Sequence, residues 1–253
     1  MSKIFVTIPT YNERDNIFQL VNEILRLPGE IEIVVADDDS PDGTWQVVLG
    51  LTQREPRVHL LRRTEDKGRG RAGVDAFRYA LDHDAEVIFE MDGDLSHHPR
   101  YIPLLLKEVR FHDLVIGSRI VSGGVDARSS RLRKAVTQTA NAYARWLLGV
   151  PVRDCNSGFR CFRREVLEGI DLDSIVSKGP SIVHEILYKA HQRGFSMKEV
   201  PIHFEDRQAG QSNLNLKKLL FSAWMVLKLR GSAGWIPMKP GQTRRASETT
   251  EAR

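Results

Sequence analysis

The 253-residue chain carries only two cysteines, Cys155 and Cys161. Their spacing fits neither a CxxC redox pair nor a zinc site, which excludes a disulfide framework and points to a reduced, cytosolic compartment. Long apolar runs are also missing: none approaches the roughly 18 residues a bilayer-spanning helix needs. Charge of one sign is not in strong excess. The formal net charge is +4, which permits a phosphate-bearing partner without demanding one, and the expectation includes no nucleic acid. There is no internal repeat. The opening "MSKIFVTIPT" reads as a strand and not as a signal peptide.

What is present is an alternation of strand and helix patterns. "KIFVTIP", "IEIVVAD", "VHLLRR", "AEVIFEMD" and "DLVIGSR" read as buried strands. Between them, "ERDNIFQLVNEILRL", "SPDGTWQVVLGLTQR", "GRAGVDAFRYALDH" and "PRYIPLLLKEVR" read as helices or as turns leading into helices. In the second of these, Ser40 is the expected cap and Pro41 the expected first-turn residue. This order predicts an α/β domain with a mainly parallel sheet flanked by helices. In such sheets ligands bind beyond the carboxyl ends of the strands. After Arg119 the pattern breaks into "IVSGGVDARSSRLRK", a Gly/Ser-rich basic stretch read as a loop, followed by a helix in "AVTQTANAYARWLLG". The expected organisation is a catalytic domain over 1–213, an amphipathic helix over 214–230 and a disordered polar tail over 231–253.

Polar signals sit at four strand ends: "PTYNE", "DDDSPDG", "DGDLSHHP" and "GSR". Asp92 and Asp94 flank Gly93, and a D-x-D on a bend can aim two hard oxygen ligands at one Mg²⁺ or Mn²⁺ shared with phosphates. The competing reading is a solvated acidic turn. His97 and His98 invite a zinc reading, but they lack i, i+4 spacing and a cysteine partner. Ser96 or His97 as a helix cap ahead of Pro99 is the alternative. Asp37, Asp38 and Asp39 fit a phosphorylated receiver site, a nucleotide pocket or a capped turn. "GRGRAG", Gly68 to Gly73, is not a dinucleotide fingerprint, and its glycines read as backbone freedom near a ligand. Arg119, Arg131, Arg133, Lys134 and Arg207 are candidate phosphate ligands, since a guanidinium fork matches phosphate oxygens. Arg119 stands out because it ends a buried strand.

Together, "PTYNE", "ADDDSPDGT", "MDGDLSHHP", "IGSR", "NSGFRCFRREVLE" and "EVPIHFEDRQAGQS" resemble, in order, the motifs of dolichyl-phosphate (polyprenyl-phosphate) mannosyltransferases. These are inverting family 2 glycosyltransferases of GT-A fold. The resemblance spans about residues 3 to 230.

The resemblance implies a Rossmann-like GT-A fold and a transfer of mannose from GDP-mannose to a polyprenyl monophosphate. It implies that Pro9, Tyr11, Glu13, Ala36 and Asp38 line the nucleotide pocket. Asp92, Gly93 and Asp94 would form the donor and metal motif, with Ser96 where glutamine is common as a further ligand to Mg²⁺ or Mn²⁺. Arg119, Arg133 and Arg207 would meet the diphosphate or the acceptor phosphate. Gln211 and Asn213 depart from the family's Glu and Lys, and the second change removes one positive charge near the phosphates. The lipid acceptor implies peripheral association with the cytosolic face of a membrane, through the 214–230 helix or a membrane-spanning partner subunit. Alternatives are a polyprenyl-phosphate glucosyltransferase or another family 2 sugar transferase using a UDP-sugar and, from another class, a non-catalytic Mg-binding signalling module.

Overall fold

The computed structural model describes residues 2–206 and 216–232. Arg207, Gln211 and Asn213 lie outside them. Seven strands form one sheet: β1 (Ile4–Thr10), β2 (Ile31–Asp37), β3 (Val58–Arg62), β4 (Val87–Glu90), β5 (Leu114–Ser118), β7 (Arg160–Arg163) and β8 (Met197–Pro201). Their order is β3-β2-β1-β4-β7-β5-β8, and all neighbours are parallel except β7, which runs antiparallel to both β4 and β5. A short parallel pair, β6 (Val125–Asp126) with β9 (His203–Phe204), stands apart.

Helices cover both faces, so the central strands read as continuous apolar runs and not as alternating ones. Successive residues of β1 still divide between two cores. Phe5 joins Val34, Phe77 and Phe162 on one face. Val6 and Ile8 join Ile17, Leu20 and Ile33 on the other. The helices are α1 (Arg14–Leu25), α2 (Thr44–Thr52), α3 (Arg69–Asp82), α4 (Ile102–Glu108), α5 (Arg131–Leu148), α6 (Arg164–Gly169), α7 (Ile182–Gln192) and α8 (Leu216–Ser232). In α1, Ile17, Leu20, Val21 and Ile24 recur at helical spacing and are buried.

Several local expectations change. Helix α2 starts at Thr44, after Gly43 at φ 94°, and Ser40 is not its cap. Ser40 instead donates its amide and hydroxyl to Asp37. A single 3₁₀ turn, Pro99–Tyr101, leads into α4, and neither Ser96 nor His97 caps it: His98 does, accepting from the Arg100 amide onto Nδ1 at 3.1 Å, while α4 itself has no side-chain cap. The basic end of the expected loop is helical, because Ser130 caps α5 by accepting from the Arg133 amide. The rest of that loop is held by the β6–β9 pairing and by Ser129, which donates to Asp206. Strand β7 was not anticipated at all. Both cysteines are buried, and burial pushes the Cys155 thiol up to about 12 and raises the Cys161 thiol, which disfavours the reactive thiolate at both.

Candidate active site

The four polar strand ends converge where β1, β2, β4 and β5 finish. Pro9 lies opposite Ala36 in the β1–β2 register, which places "PTYNE" beside "DDDSP". Asn12, at φ 61°, turns the chain after β1, and its amide donates to Ser40. Tyr11 is exposed. The Glu13 amide donates to Thr44, and its carboxylate accepts from Asn16 at 2.9 Å.

The three consecutive aspartates have separate tasks. Asp37 is a turn residue, accepting from Thr10, the Ser40 amide and the Ser40 hydroxyl. Asp38 is buried, ion-paired with Arg63 and holding the Gly68 amide at 2.6 Å. Asp39 pairs at the surface with Arg62 and Lys67. The side chain of Arg62 also lies over the ring of Trp45, 3.7 Å from its centroid.

Asp92, Gly93 and Asp94 follow β4. A Cβ on Gly93 would lie 3.1 Å from Thr10 Cγ2 and 3.4 Å from Glu13 Cγ. The absence of a side chain therefore lets the acidic loop close onto the end of β1. Asp94 is buried, with Oδ1 accepting from the Ser96 hydroxyl at 2.6 Å and its amide at 3.1 Å. Leu95, at φ 60°, makes the bend between them. The Asp92 side chain is 32% exposed and faces Arg69.

Arg69 donates to Asp92 from Nε and Nη2 and to the fully buried Glu90 from Nη1. Burial alone would lower its pKa, but the charges of Asp92 and Glu90 outweigh that and raise it. A Cβ on Gly158 would come within 2.8 Å of Asp92 Oδ2 and 2.9 Å of Arg69 Nη2, so this glycine leaves room for the pair.

Arg119, at the end of β5, is buried and gripped by Asp154, with Nε to Oδ2 at 2.8 Å. Its guanidinium lies 4.1 Å from the centroid of the Phe204 ring. Phe204 in turn meets His97 edge-on, and His97 stacks on Phe159 and lies 3.8 Å from Asp92. This line of contacts joins the β5 arginine to the β4 carboxylates. Burial holds His97 below its usual pKa, against the opposing pull of Asp92. Arg133 is exposed in the first turn of α5, beside Arg131.

The structure therefore brings together Pro9, Ala36, Asp38, Asp92, Gly93, Asp94, Ser96 and Arg119, with Tyr11 and Glu13 at the rim. Arg133 stands further out on α5, and Arg207 lies outside the described residues. Sequence reasoning missed Arg69, Arg63, Asp154 and Gly158. The signal for Arg69 was present, an arginine inside "GRGRAG", but its partners are 21 and 23 residues away.

The donor set suits a hard divalent cation shared with a phosphate ligand. Asp92 and Asp94 supply carboxylate oxygens from one bend. Among the described residues, no group of three or more His, Cys, Asp or Glu could hold a metal ion alone. Further oxygens would have to come from water or a ligand, the usual arrangement for Mg²⁺.

Glycosyl transferase family 2 matches residues 5–171. The chain is 40% identical over 224 residues to the polyprenol monophosphomannose synthase of Mycolicibacterium smegmatis, covering 87% of this chain and 84% of that protein. It is 37% identical to the undecaprenyl-phosphate mannosyltransferase of Micrococcus luteus, covering 84% and 88%. It is 38% identical to the dolichol-phosphate mannosyltransferase of Pyrococcus furiosus, covering 86% of this chain and 60% of that longer protein. In structure it is similar to glucosyl-3-phosphoglycerate synthase from Mycobacterium tuberculosis, solved with Mn²⁺, UDP and glucosyl-3-phosphoglycerate. The TM-score is 0.67 at 21% identity, covering 94% and 82% of the two chains, a likeness that carries the fold alone. The same protein is also solved with Mg²⁺ and UDP. The mainly parallel sheet flanked by helices is thus the GT-A fold, and the chain belongs to glycosyl transferase family 2: it is a glycosyltransferase.

Proposed function

We propose that the chain transfers mannose from GDP-mannose to a polyprenyl monophosphate with inversion, giving a β-linked polyprenyl-phosphate mannose and GDP. The observation that carries this reading is the line of contacts from Arg119 through Phe204 and His97 to Asp92. It ties an arginine at the end of β5 to a carboxylate at the end of β4. The three relatives named above, each a polyprenyl-phosphate mannosyl enzyme by name, support the choice of sugar and acceptor.

In this account Pro9, Tyr11, Glu13, Ala36 and Asp38 receive the nucleotide. Asp38 acts from within its pairing to Arg63 and Gly68, which fixes the wall of the pocket. Asp92 and Asp94, with Ser96 at hand, hold Mg²⁺ or Mn²⁺, which when bound neutralises charge on the departing diphosphate. Arg69 keeps Asp92 aimed. Arg119, Arg133 and Arg207 receive the acceptor phosphate.

A phosphate monoester has a second pKa of about 6, so the acceptor is mostly dianionic at neutral pH and needs no general base. Its oxygen forms the new bond to the anomeric carbon as the bond to the GDP oxygen breaks, and the electron pair leaves with GDP. The protein's work is then orientation and charge stabilisation.

The acceptor's lipid calls for a membrane surface. Among the described residues no helix is long and apolar enough to cross a membrane. Helices α5 and α8 pack together, with the Tyr143 hydroxyl donating to the Ala223 carbonyl at 3.2 Å. Outward from them stand Leu132 at 74% and Trp146 at 79% exposure, with Phe221, Trp224 and Leu227 also exposed. Apolar side chains beside Arg133, Arg145 and Lys228 suit peripheral binding at the cytosolic face.

The experiment is a donor screen with a short-chain polyprenyl phosphate, comparing GDP-mannose with UDP-glucose, each with Mg²⁺ and with EDTA. The reading expects turnover of GDP-mannose that EDTA abolishes. Preference for UDP-glucose, or no transfer at all, overturns it.

A further inference from the structure

Beneath Arg119 lies a buried polar chain that the reaction itself does not use. Asp154 is fully buried. Its Oδ2 accepts from the Arg119 amide at 3.1 Å and from Nε at 2.8 Å, while its Oδ1 takes Nη2 at 3.4 Å. The Asp154 amide donates to Glu199 on β8 at 2.9 Å, which fixes the loop at the sheet edge. Oδ1 also accepts from Asn141 Nδ2 at 3.2 Å. Asn141 Oδ1 in turn accepts from Asn156, from its amide at 2.9 Å and from Nδ2 at 2.6 Å. Asn156 Oδ1 closes the chain on His184 Nε2 of α7, 3.1 Å away.

Asn141 is the one polar member of the buried set of α5, the others being Ala144 and Leu148. A buried amide on an otherwise solvent-facing helix needs a reason, and here both ends of the amide are used. Only one orientation satisfies the set, with the NH₂ toward the carboxylate and the oxygen toward two N–H donors. The guanidinium is thus held by two groups, the Asp154 carboxylate and the Phe204 ring, while the same carboxylate also takes the Arg119 amide. The carboxylate is itself fixed by a side chain of α5. That helix also carries Arg131 and Arg133 in its first turn and the exposed Leu132 and Trp146.

We propose that Asp154 and Asn141 are positioning residues for Arg119, and that Asn141 makes the aim of the guanidinium depend on the seating of α5. The inference rests on the reading of Arg119 as a ligand of the acceptor phosphate. Asp154 lowers the freedom of the arginine before the phosphate arrives, and Asn141 keeps Asp154 from rotating away from it. A fork held in place loses less on binding than one that must be ordered.

The test uses the full chain, GDP-mannose and a short-chain polyprenyl phosphate. Asn141→Ala is made alone and in an Arg119→Lys background, where a charge remains but the fork that Asp154 grips is gone. Asn141→Ala alone is expected to lower kcat/KM for the lipid phosphate by at least about tenfold, with the KM for GDP-mannose within about twofold of wild type. In the Arg119→Lys background the same change is expected to cost less than about threefold. A merely structural asparagine would cost the same in both backgrounds and would move both KM values, and that result overturns the proposal.

The exchange Asp154→Asn with Asn141→Asp keeps the net charge and restores one carboxylate to the chain. It is expected to recover activity lost in Asp154→Asn alone, and additive losses in the pair count against the coupling. The exchange is read even where Asn141→Ala fails to fold. Wild-type chain that transfers no sugar to the lipid phosphate overturns the underlying reading and the inference with it. Wild-type activity with background-independent losses overturns the inference alone.

Discussion

Arg69 grips Asp92 with two guanidinium nitrogens, Nε at 3.1 Å and Nη2 at 2.8 Å, and reaches Glu90 with the third at 3.1 Å. The first carboxylate of the acidic pair is therefore a mounted group, fixed from α3 across the sheet end. Removing the mount has two consequences that can be separated. In Arg69→Met, buried Glu90 loses its ion-pair partner and keeps only the neighbouring Arg160 charge, and stability is expected to fall by about 3 kcal/mol. Turnover is expected to fall more than the folded fraction does, because Asp92 loses its aim. Denaturant unfolding together with initial rates checks both, and rates that merely follow the folded fraction would remove Arg69 from the site.

Gly158 offers a gentler perturbation of the same pair. Alanine there would place a Cβ 2.8 Å from Asp92 Oδ2 and 2.9 Å from Arg69 Nη2, and both atoms are ends of side chains that can shift. Gly158→Ala should fold, with a small stability change, yet displace the carboxylate by a fraction of an ångström. A misplacement of about 1 Å can cost on the order of 100-fold in rate, so a smaller but measurable loss of kcat is expected here. Steady-state kinetics beside a thermal melt would show it, and wild-type kcat in this variant would contradict the geometry.

His184 makes stability pH-dependent. Burial, with the nearby Arg160 charge, pushes its pKa down to about 3. The unfolded chain takes up the proton near the ordinary histidine value of about 6.5. Its contribution is therefore fully present above that pH and is lost as pH falls toward 3, with a slope of about 1.4 kcal/mol per pH unit. His184→Asn should flatten this part of the acid limb of ΔG of unfolding, measured in urea at several pH values. An unchanged slope would show that the imidazole is not held neutral.

The outward aromatic surface predicts vesicle binding. Trp146→Glu and Trp224→Glu each place a charge on an exposed face of α5 or α8, so the fold should survive. Flotation with anionic liposomes is expected to fall for both and to fall further when they are combined. Flotation unaffected by the double change would remove this face from membrane contact. Strong flotation of the chain alone would also dispense with a membrane-spanning partner subunit for attachment.

Much of the architecture was legible because its signals are local. The runs ending at Thr10, Asp37, Glu90 and Ser118 are apolar and bounded by turn residues, and they became strands of a mainly parallel sheet. The placement of Asp92, Asp94 and Arg119 at strand ends followed from the same pattern. What was illegible depends on distant pairs. Arg69 meets Asp92 across 23 residues, and Arg119 meets Asp154 across 35.

Strand β7 was hidden because it is four residues long, begins and ends in arginine, and borrows both edges from β4 and β5. Its Arg160 is fully buried, donating to the carbonyls of Ser157, Val183 and Cys155, where its sequence reads as surface. The helical start of α5 was masked by Gly and Ser composition, although Ser130 carried the cap signal. Gly70 shows the same limit. Its reading as freedom near a ligand gives way to close packing, since a Cβ there would lie 2.2 Å from the Ser177 carbonyl oxygen.

The central claim is sugar transfer to a lipid phosphate with inversion at a cation-assisted acidic pair. Its most direct test is the product itself. Wild-type chain is incubated with GDP-mannose, a short-chain polyprenyl phosphate and Mg²⁺ or Mn²⁺, and the anomeric configuration of the purified lipid product is read by NMR, with Asp94→Asn run in parallel. The account predicts a β-linked polyprenyl-phosphate mannose from the wild type and almost none from Asp94→Asn. An α-linked product, no lipid product, or undiminished product from Asp94→Asn would contradict it.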